Sequence, residues 1–179
     1  MHSNLLINPI MSRLSFRTLS ALGFLACAAG IAFALYLQYS RGLEPCPMCI
    51  FQRIAMIGTG LIFLLAALHA PSAGGRWVYA ALAALTSGVG AAIAGRQVWL
   101  QSLPADQVPA CGPTLDYLLH MLPVAKVITL VLKGDGSCAK IEGVWLGITI
   151  PGWTLIAFAG FFLFALASPI LARRQPHFF

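Results

Sequence analysis

The sequence predicts an all-α protein: a four-helix transmembrane bundle with one short and one long loop on the same side of the membrane. Three observations predict it. Hydrophobic residues make up 59% of the 179-residue chain and charged residues only 9%, against roughly 25% charged in soluble domains. The apolar residues gather in four long runs almost free of charge and do not follow the spacing of amphipathic soluble helices. Between the runs lie short polar turns, except after the third, where one extended polar segment holds four of the five acidic residues.

Residues 1–17 form a short tail carrying Arg13 and Arg17, with Met11 an alternative start to Met1. Residues 18–40 contain no charge, enough to cross a hydrocarbon core that needs about 20 residues. Leu25-Ala26-Cys27 faintly resembles a lipoprotein cleavage site, but the apolar run continues to Tyr39, past the roughly 7–15 residues of a signal-peptide core. A retained helix follows, with Cys27 an inert buried thiol. After the polar turn 41–46, a second helix is predicted over 47–68, interrupted only by Gln52 and Arg53. His69 to Arg76, with Pro71, Gly74 and Gly75, reads as a turn. His69, like the terminal His2 and His177, marks a solvated end. Residues 77–95 give a third crossing, rich in Ala and Gly that allow close helix contact.

The polar segment is predicted as a loop over 96–145 and includes Asp106, Asp116, Asp135, Glu142, Cys111 and Cys138. Within it Leu115, Leu118, Leu119 and Leu122 make an apolar stripe between Pro113 and Pro123. Such a short helix either lies along the membrane surface or packs on the mouth of the bundle. Residues 124–132 are apolar but too short to span and contain Lys126, which leaves their conformation open. A fourth helix is predicted over 151–168, with Trp145 and Trp153 at interface depth and Arg173 and Arg174 closing it. No internal repeat is visible, so residues 1–179 read as a single integral-membrane domain.

A formal charge of +6 would suggest nucleic acid in a soluble protein, but here the basic residues stand singly around apolar segments. There is no basic run interleaved with aromatics, no Gly-rich phosphate loop and no paired carboxylates in an apolar setting, which argues against nucleic-acid binding, nucleotide binding and acid/base hydrolysis. Four crossings put both termini on one side and both cysteine loops on the other. The termini side, with the 69–76 turn, carries five basic residues and the cysteine side six, while all five acidic residues fall on the cysteine side. Long loops weigh less in this balance, which places the termini in the cytoplasm and the two cysteine loops outside.

The chemistry centres on Glu44-Pro45-Cys46-Pro47-Met48-Cys49-Ile50-Phe51-Gln52-Arg53. Two cysteines separated by two residues can close a disulfide on themselves, and at a helix N-terminus free backbone N–H groups favour a thiolate. Pro47 suits a first helical position and makes Cys46 the cap. Arg53, four residues after Cys49, falls on the same helix face, about 6 Å along the axis. On the motif alone, a structural disulfide or half of a zinc site competes with a reactive dithiol. A zinc site wants a second close pair or histidines at ligand spacing, whereas Cys111 and Cys138 stand 27 residues apart and His120 matches no zinc pattern. Pro109-Ala110-Cys111-Gly112-Pro113 and Gly134-Asp135-Gly136-Ser137-Cys138 read as exposed turns, open to attack by another thiolate. A bridge between them would stabilise a loop of this size by about 3–4 kcal/mol. A four-helix membrane bundle has little need of such a staple, and glycines beside Cys138 reinforce poorly, so exchange is favoured over stapling.

These residues resemble the DsbB family of bacterial inner-membrane disulfide-generating proteins. The resemblance covers about residues 18–172 and rests on Glu44 to Arg53, on Cys111 and Cys138 in one long loop, and on Trp145-Leu-Gly-Ile-Thr-Ile-Pro151-Gly-Trp153 entering the last helix. It implies an inner-membrane protein-disulfide oxidoreductase with periplasmic cysteine loops, moving electrons from a reduced DsbA-type thioredoxin-like partner through two cysteine pairs to a quinone, ubiquinone or menaquinone, without metal. By resemblance the redox disulfides are Cys46 with Cys49 and Cys111 with Cys138. Cys49 contacts the quinone, Arg53 helps hold it, the partner attacks Cys111, and Cys138 then attacks Cys46. Some members carry a quinone-side histidine near the end of the third helix; here Arg96, Gln97 and Val98 stand there. Competing expectations are a paralogue serving one dedicated oxidant, a non-catalytic thiol sensor or scaffold in the lipid bilayer, and a metal transporter using the dithiol.

Overall fold

In the computed structural model, which describes residues 15–104 and 106–172, four helices are long and apolar enough to cross a membrane: α1 (Phe16–Arg41), α2 (Pro47–His69), α3 (Ala73–Gln101) and a final helix, Ile150–Ala172. The expected features at His2, Met11, Arg13, Arg173, Arg174 and His177 lie outside the described residues. Ser15 caps α1 by accepting the Thr18 N–H at 3.1 Å, and Gly42 ends it in the left-handed region at φ 66°.

Two crossings run further than expected. The third, expected over 77–95, occupies Ala73–Gln101, so residues 96–101 are helix and not loop. Charge ends a hydrophobic run but does not end a helix, and each arginine finds a way out of the apolar layer. Arg76 Nε donates to the Pro71 carbonyl at 3.2 Å and its guanidinium lies over the Phe16 ring. Arg96 Nη2 donates to the Lys133 carbonyl at 3.1 Å, with its guanidinium 4.1 Å from the Trp99 ring centre. The fourth crossing, expected to stop at 168, continues through Pro169. A proline there strips the Ala165 carbonyl of its helical donor, and the Ser168 hydroxyl supplies one at 2.9 Å.

The helices pack in sequence, α1 on α2, α2 on α3 and α3 on the last helix, whereas α1 and the last helix touch only weakly. Small residues set the close approaches. Gly23 faces the Phe63 ring, where an added Cβ would come within 2.9 Å, and Gly90 lies under the fully buried Phe158. Two hydroxyls inside the bundle are satisfied locally: Thr59 donates to the Ala55 carbonyl at 2.9 Å, and Ser87 to that of Ala83 at 2.6 Å. Leu22, Leu61, Leu85 and Leu163 point outward, which suits lipid and not water.

The long loop folds over one end of this bundle as α4 (Leu115–Met121), α5 (Val124–Lys133), α6 (Gly136–Ala139) and a hairpin of β1 (Val144–Trp145) and β2 (Ile148–Thr149), after which Ile150–Ala172 is α7. Residues 124–133, open from sequence, are helical, with Val127 and Val131 buried four residues apart. In α4 only Leu118 is buried, while Tyr117, Leu119 and Met121 are exposed, so this helix packs on the bundle mouth by one edge. The hairpin pairs Val144 with Thr149 and Trp145 with Ile148. Its two-residue turn places Leu146 and Gly147 at positive φ, as a type I′ turn requires. Trp153 Nε1 donates to the Trp145 carbonyl at 3.0 Å and ties the hairpin to α7.

Candidate active site at the mouth of the bundle

The site is built on the first turn of α2. Pro47 occupies its first position and has no N–H, so Met48 and Cys49 carry the free amides of that turn. Both are given to sulfur. Cys49 N–H donates to Cys46 Sγ at 3.3 Å, and Met48 N–H to Cys138 Sγ. Cys46 Sγ lies 2.9 Å from Cys49 Sγ and also interacts with the Cys138 thiol. Three sulfurs from two loops therefore converge on one helix N-terminus, and all five cysteines of the chain are thiols.

Cys138 corrects the sequence reading. Expected in an exposed turn, it is 1% exposed, in a cluster with Met48, Ile93, Leu100, Leu118, Val127 and Val131. The reason is local capping. Asp135 Oδ1 accepts the N–H groups of Ser137 at 2.9 Å and Cys138 at 3.2 Å, which winds residues 136–139 into a helical turn that packs on α3 and α2. The hydrogen bond from Cys46, aided by the Met48 and Asp135 N–H groups, holds the Cys138 thiol below its ordinary pKa against the effect of burial. Cys46 is pushed the other way, first by its hydrogen bonds to Cys138 and Cys49 and then by burial, so it keeps its proton.

Cys111 is exposed, as its surroundings suggest. Its segment rests on α6: Gly136 N–H donates to the Ala110 carbonyl at 3.2 Å, and a Cβ at Gly136 would come within 3.1 Å of Cys111 Sγ. The structure thus gathers Cys46, Cys49 and Cys138 and leaves Cys111 on the outer rim, against the residue two positions before Cys138.

Beneath the sulfurs lies an open-mouthed cavity walled by α1, α2, α3 and α7. Cys49 and Arg53 line the same cavity with Ile31, Leu37 and Met56. The guanidinium is aimed by α1, donating to Gln38 Oε1 at 2.5 Å and the Ala34 carbonyl at 3.2 Å. Gln38 was not legible as a site residue; the signal available was an amide within an apolar run. A wall in which the fixed Arg53 guanidinium and the Cys46 and Cys49 sulfurs stand among apolar side chains fits a flat apolar ring bearing carbonyl acceptors. The cavity lining also includes two buried amides, Gln52 and Gln97, 5% and 3% exposed. Gln52 Nε2 donates to Gln97 Oε1 at 2.7 Å, and Gln97 Nε2 faces Cys46 Sγ at 3.3 Å and Cys49 Sγ at 3.4 Å.

Comparison with known proteins shows which family the chain resembles. The family model described as disulfide bond formation protein DsbB matches residues 16–168. A disulfide bond formation protein B of Hahella chejuensis is 56% identical over 148 residues, 83% of this chain and 90% of that protein. The protein of the same name in Nitrosococcus oceani is 51% identical over 82% of this chain and 86% of its own length. That of Chromohalobacter salexigens is 48% identical over 92% of this chain and 98% of its own.

Proposed function

The chain belongs to the DsbB family of inner-membrane, quinone-dependent disulfide-generating oxidoreductases, and from that premise we propose which of its residues carry each part of the activity. The enzyme generates disulfides by taking electrons from a reduced DsbA-type protein and delivering them to membrane quinone. The observation that carries the assignment of roles is the convergence of Cys46, Cys49 and Cys138 at the α2 N-terminus, with Cys111 exposed beside them.

In the resting enzyme Cys46 is bridged to Cys49 and Cys111 to Cys138. A thiolate of the partner attacks Cys111, forming a mixed disulfide and releasing Cys138 as a thiolate. Exposure of Cys111 and burial of Cys138 direct that attack to the outer sulfur. Met48 and Asp135 N–H groups hold the released Cys138 thiolate even while Cys46 is tied to Cys49. Cys138 attacks Cys46; the Cys46–Cys49 bond breaks, and its electron pair leaves on Cys49, which faces the cavity. When the partner closes its own disulfide, Cys111 is freed to retake Cys138, and Cys46 and Cys49 are left as the reduced pair.

Quinone held in the cavity supplies a two-electron, two-proton acceptor. Arg53, aimed by Gln38, is the group that would bind its carbonyl oxygen, and the apolar side chains of Ile31, Leu37 and Met56 would enclose its ring. Both α1 and α7, which touch only weakly, line this cavity, and entry of an apolar acceptor from the lipid is assigned to the space between them. Both termini lie in the cytoplasm and the cysteine loops in the periplasm, where the partner arrives. Membranes containing the protein should reduce added quinone when supplied with reduced DsbA-type protein, and Cys49→Ser should abolish this. Normal turnover in that variant contradicts the assigned roles.

A further inference from the structure

Gln97 sits where the two cysteine-bearing loops meet. It is 3% exposed, near the end of α3, and its amide is held in one orientation because Gln52 Nε2 donates to its oxygen at 2.7 Å. That leaves the two N–H bonds of Gln97 to serve three acceptors: Cys46 Sγ at 3.3 Å, Cys49 Sγ at 3.4 Å and the Cys138 carbonyl at 3.4 Å. Burying two amides in the mouth of a membrane bundle is costly unless every polar atom is matched. Here two of the three acceptors facing the Gln97 N–H groups are sulfurs, weak acceptors as thiols and strong ones as thiolates.

We propose that Gln97 is a catalytic residue of thiol exchange, binding the sulfurs of Cys46 and Cys49 and stabilising the charge that reaches Cys49 when Cys138 takes Cys46. In this step the Cys138–Cys46 bond forms, the Cys46–Cys49 bond breaks, and the electron pair departs on Cys49; no proton or outside oxidant is consumed. A donor fixed in advance at the leaving sulfur lowers the barrier in the manner of an oxyanion hole. Its third contact, to the Cys138 carbonyl, brings the attacking residue into register with the disulfide it attacks. Gln52 is a positioning residue, acting only through the Gln97 amide. The proposal rests on the sulfur roles assigned above and adds to them the group that makes Cys49 the better leaving sulfur.

The test uses the purified full chain in detergent, with a reduced DsbA-type protein as donor, acid quenching, alkylation and peptide mapping of the Cys46–Cys138 link with time. Gln97→Met, similar in size but without N–H groups, should form the link about 10–100-fold more slowly, and Gln97→His, which retains a ring N–H, should recover much of the rate. In glutathione redox buffers Gln97→Met should also shift the Cys46–Cys49 pair toward the disulfide, because the reduced pair loses the donor that stabilises its thiolate. Should Gln97→Met fail to fold, Gln52→Met carries the test, with about 3–10-fold slower linking. A wild-type rate in either methionine variant overturns the proposal. So does equal slowing in Gln97→Met and Gln97→His with an unchanged glutathione equilibrium, which is what a packing role gives. If wild-type protein itself never forms the Cys46–Cys138 link, it is the assignment of sulfur roles that fails.

Discussion

Adding one methyl group at Gly136 should weaken the outer disulfide and leave the inner one alone. Gly136 is the first residue of α6 and has a helical, negative φ, so alanine suits its backbone and helix propensity alone would favour the change. Contact decides otherwise. The added Cβ would stand 2.7 Å from the Pro109 carbonyl oxygen and 3.1 Å from both the backbone nitrogen and the Sγ of Cys111. Two of these three atoms are backbone, so the Cys111 segment must lift, stretching the 3.2 Å bond from Gly136 N–H to the Ala110 carbonyl. Overpacking of this kind costs about 1–3 kcal/mol. The reduced loop escapes by undocking, whereas a Cys111–Cys138 disulfide cannot, since its Cα atoms must stay within about 7 Å. The bridged form therefore bears the cost, and its equilibrium constant against glutathione should fall by about 5–150-fold, a rise in potential of roughly 20–60 mV. The assay equilibrates purified Gly136→Ala and wild-type protein in glutathione buffers and quantifies each pair by alkylation and mass spectrometry. An unchanged Cys111–Cys138 equilibrium in Gly136→Ala would refute the docking of the two loops through this glycine.

Three further outcomes follow from single contacts. Gln38→Leu removes the acceptor that aims Arg53, so the KM for quinone should rise about tenfold, near 1.4 kcal/mol, while formation of the Cys46–Cys138 link keeps its rate; a slowed link would show that Gln38 does more than aim the guanidinium. In fully reduced protein, alkylation of Cys138 by a small reagent should rise with pH with its midpoint below the ordinary thiol value of 9.0, because a lowered pKa leaves the thiolate populated at lower pH. Cys46→Ala removes the first cause of that shift and should move the midpoint upward; an unmoved midpoint contradicts the Cys46–Cys138 hydrogen bond. Gly90→Ala drives a methyl into the buried Phe158 ring and should destabilise the bundle by about 1–3 kcal/mol in a detergent unfolding assay, whereas Gly88→Ala, whose Cβ meets Phe162 at an ordinary 3.7 Å, should change little.

The four crossings were legible because lipid imposes a requirement that composition alone satisfies or fails. Their ends were not, since Arg76 and Arg96 leave the apolar layer through contacts with Pro71, Phe16, Lys133 and Trp99 that no local pattern records. The first turn of α2 was legible down to the cap, because Pro47 fixes where the helix starts. The depth of Cys138 was not: Gly134, Asp135 and Gly136 look like a flexible turn until Asp135 caps residues 136–139 and the resulting helix finds the groove over α2 and α3. The hairpin at 144–149 escaped notice because its strands are two residues each, below the length at which alternation can be read. Gln97 could be noticed as an uncharged polar residue where a histidine was expected, but its bonds to two sulfurs depend on the end of α3 meeting the start of α2.

The central claim is that electrons enter at Cys111 and reach the membrane pair only through Cys138. The most direct measurement combines Cys138→Ala with reduced DsbA-type protein and quinone, following quinone reduction by absorbance while mapping disulfides in the same quenched samples. The account predicts accumulation of a mixed disulfide between the partner and Cys111, with quinone reduction stopped. Quinone reduction at the wild-type rate, or absence of the mixed disulfide, would contradict it.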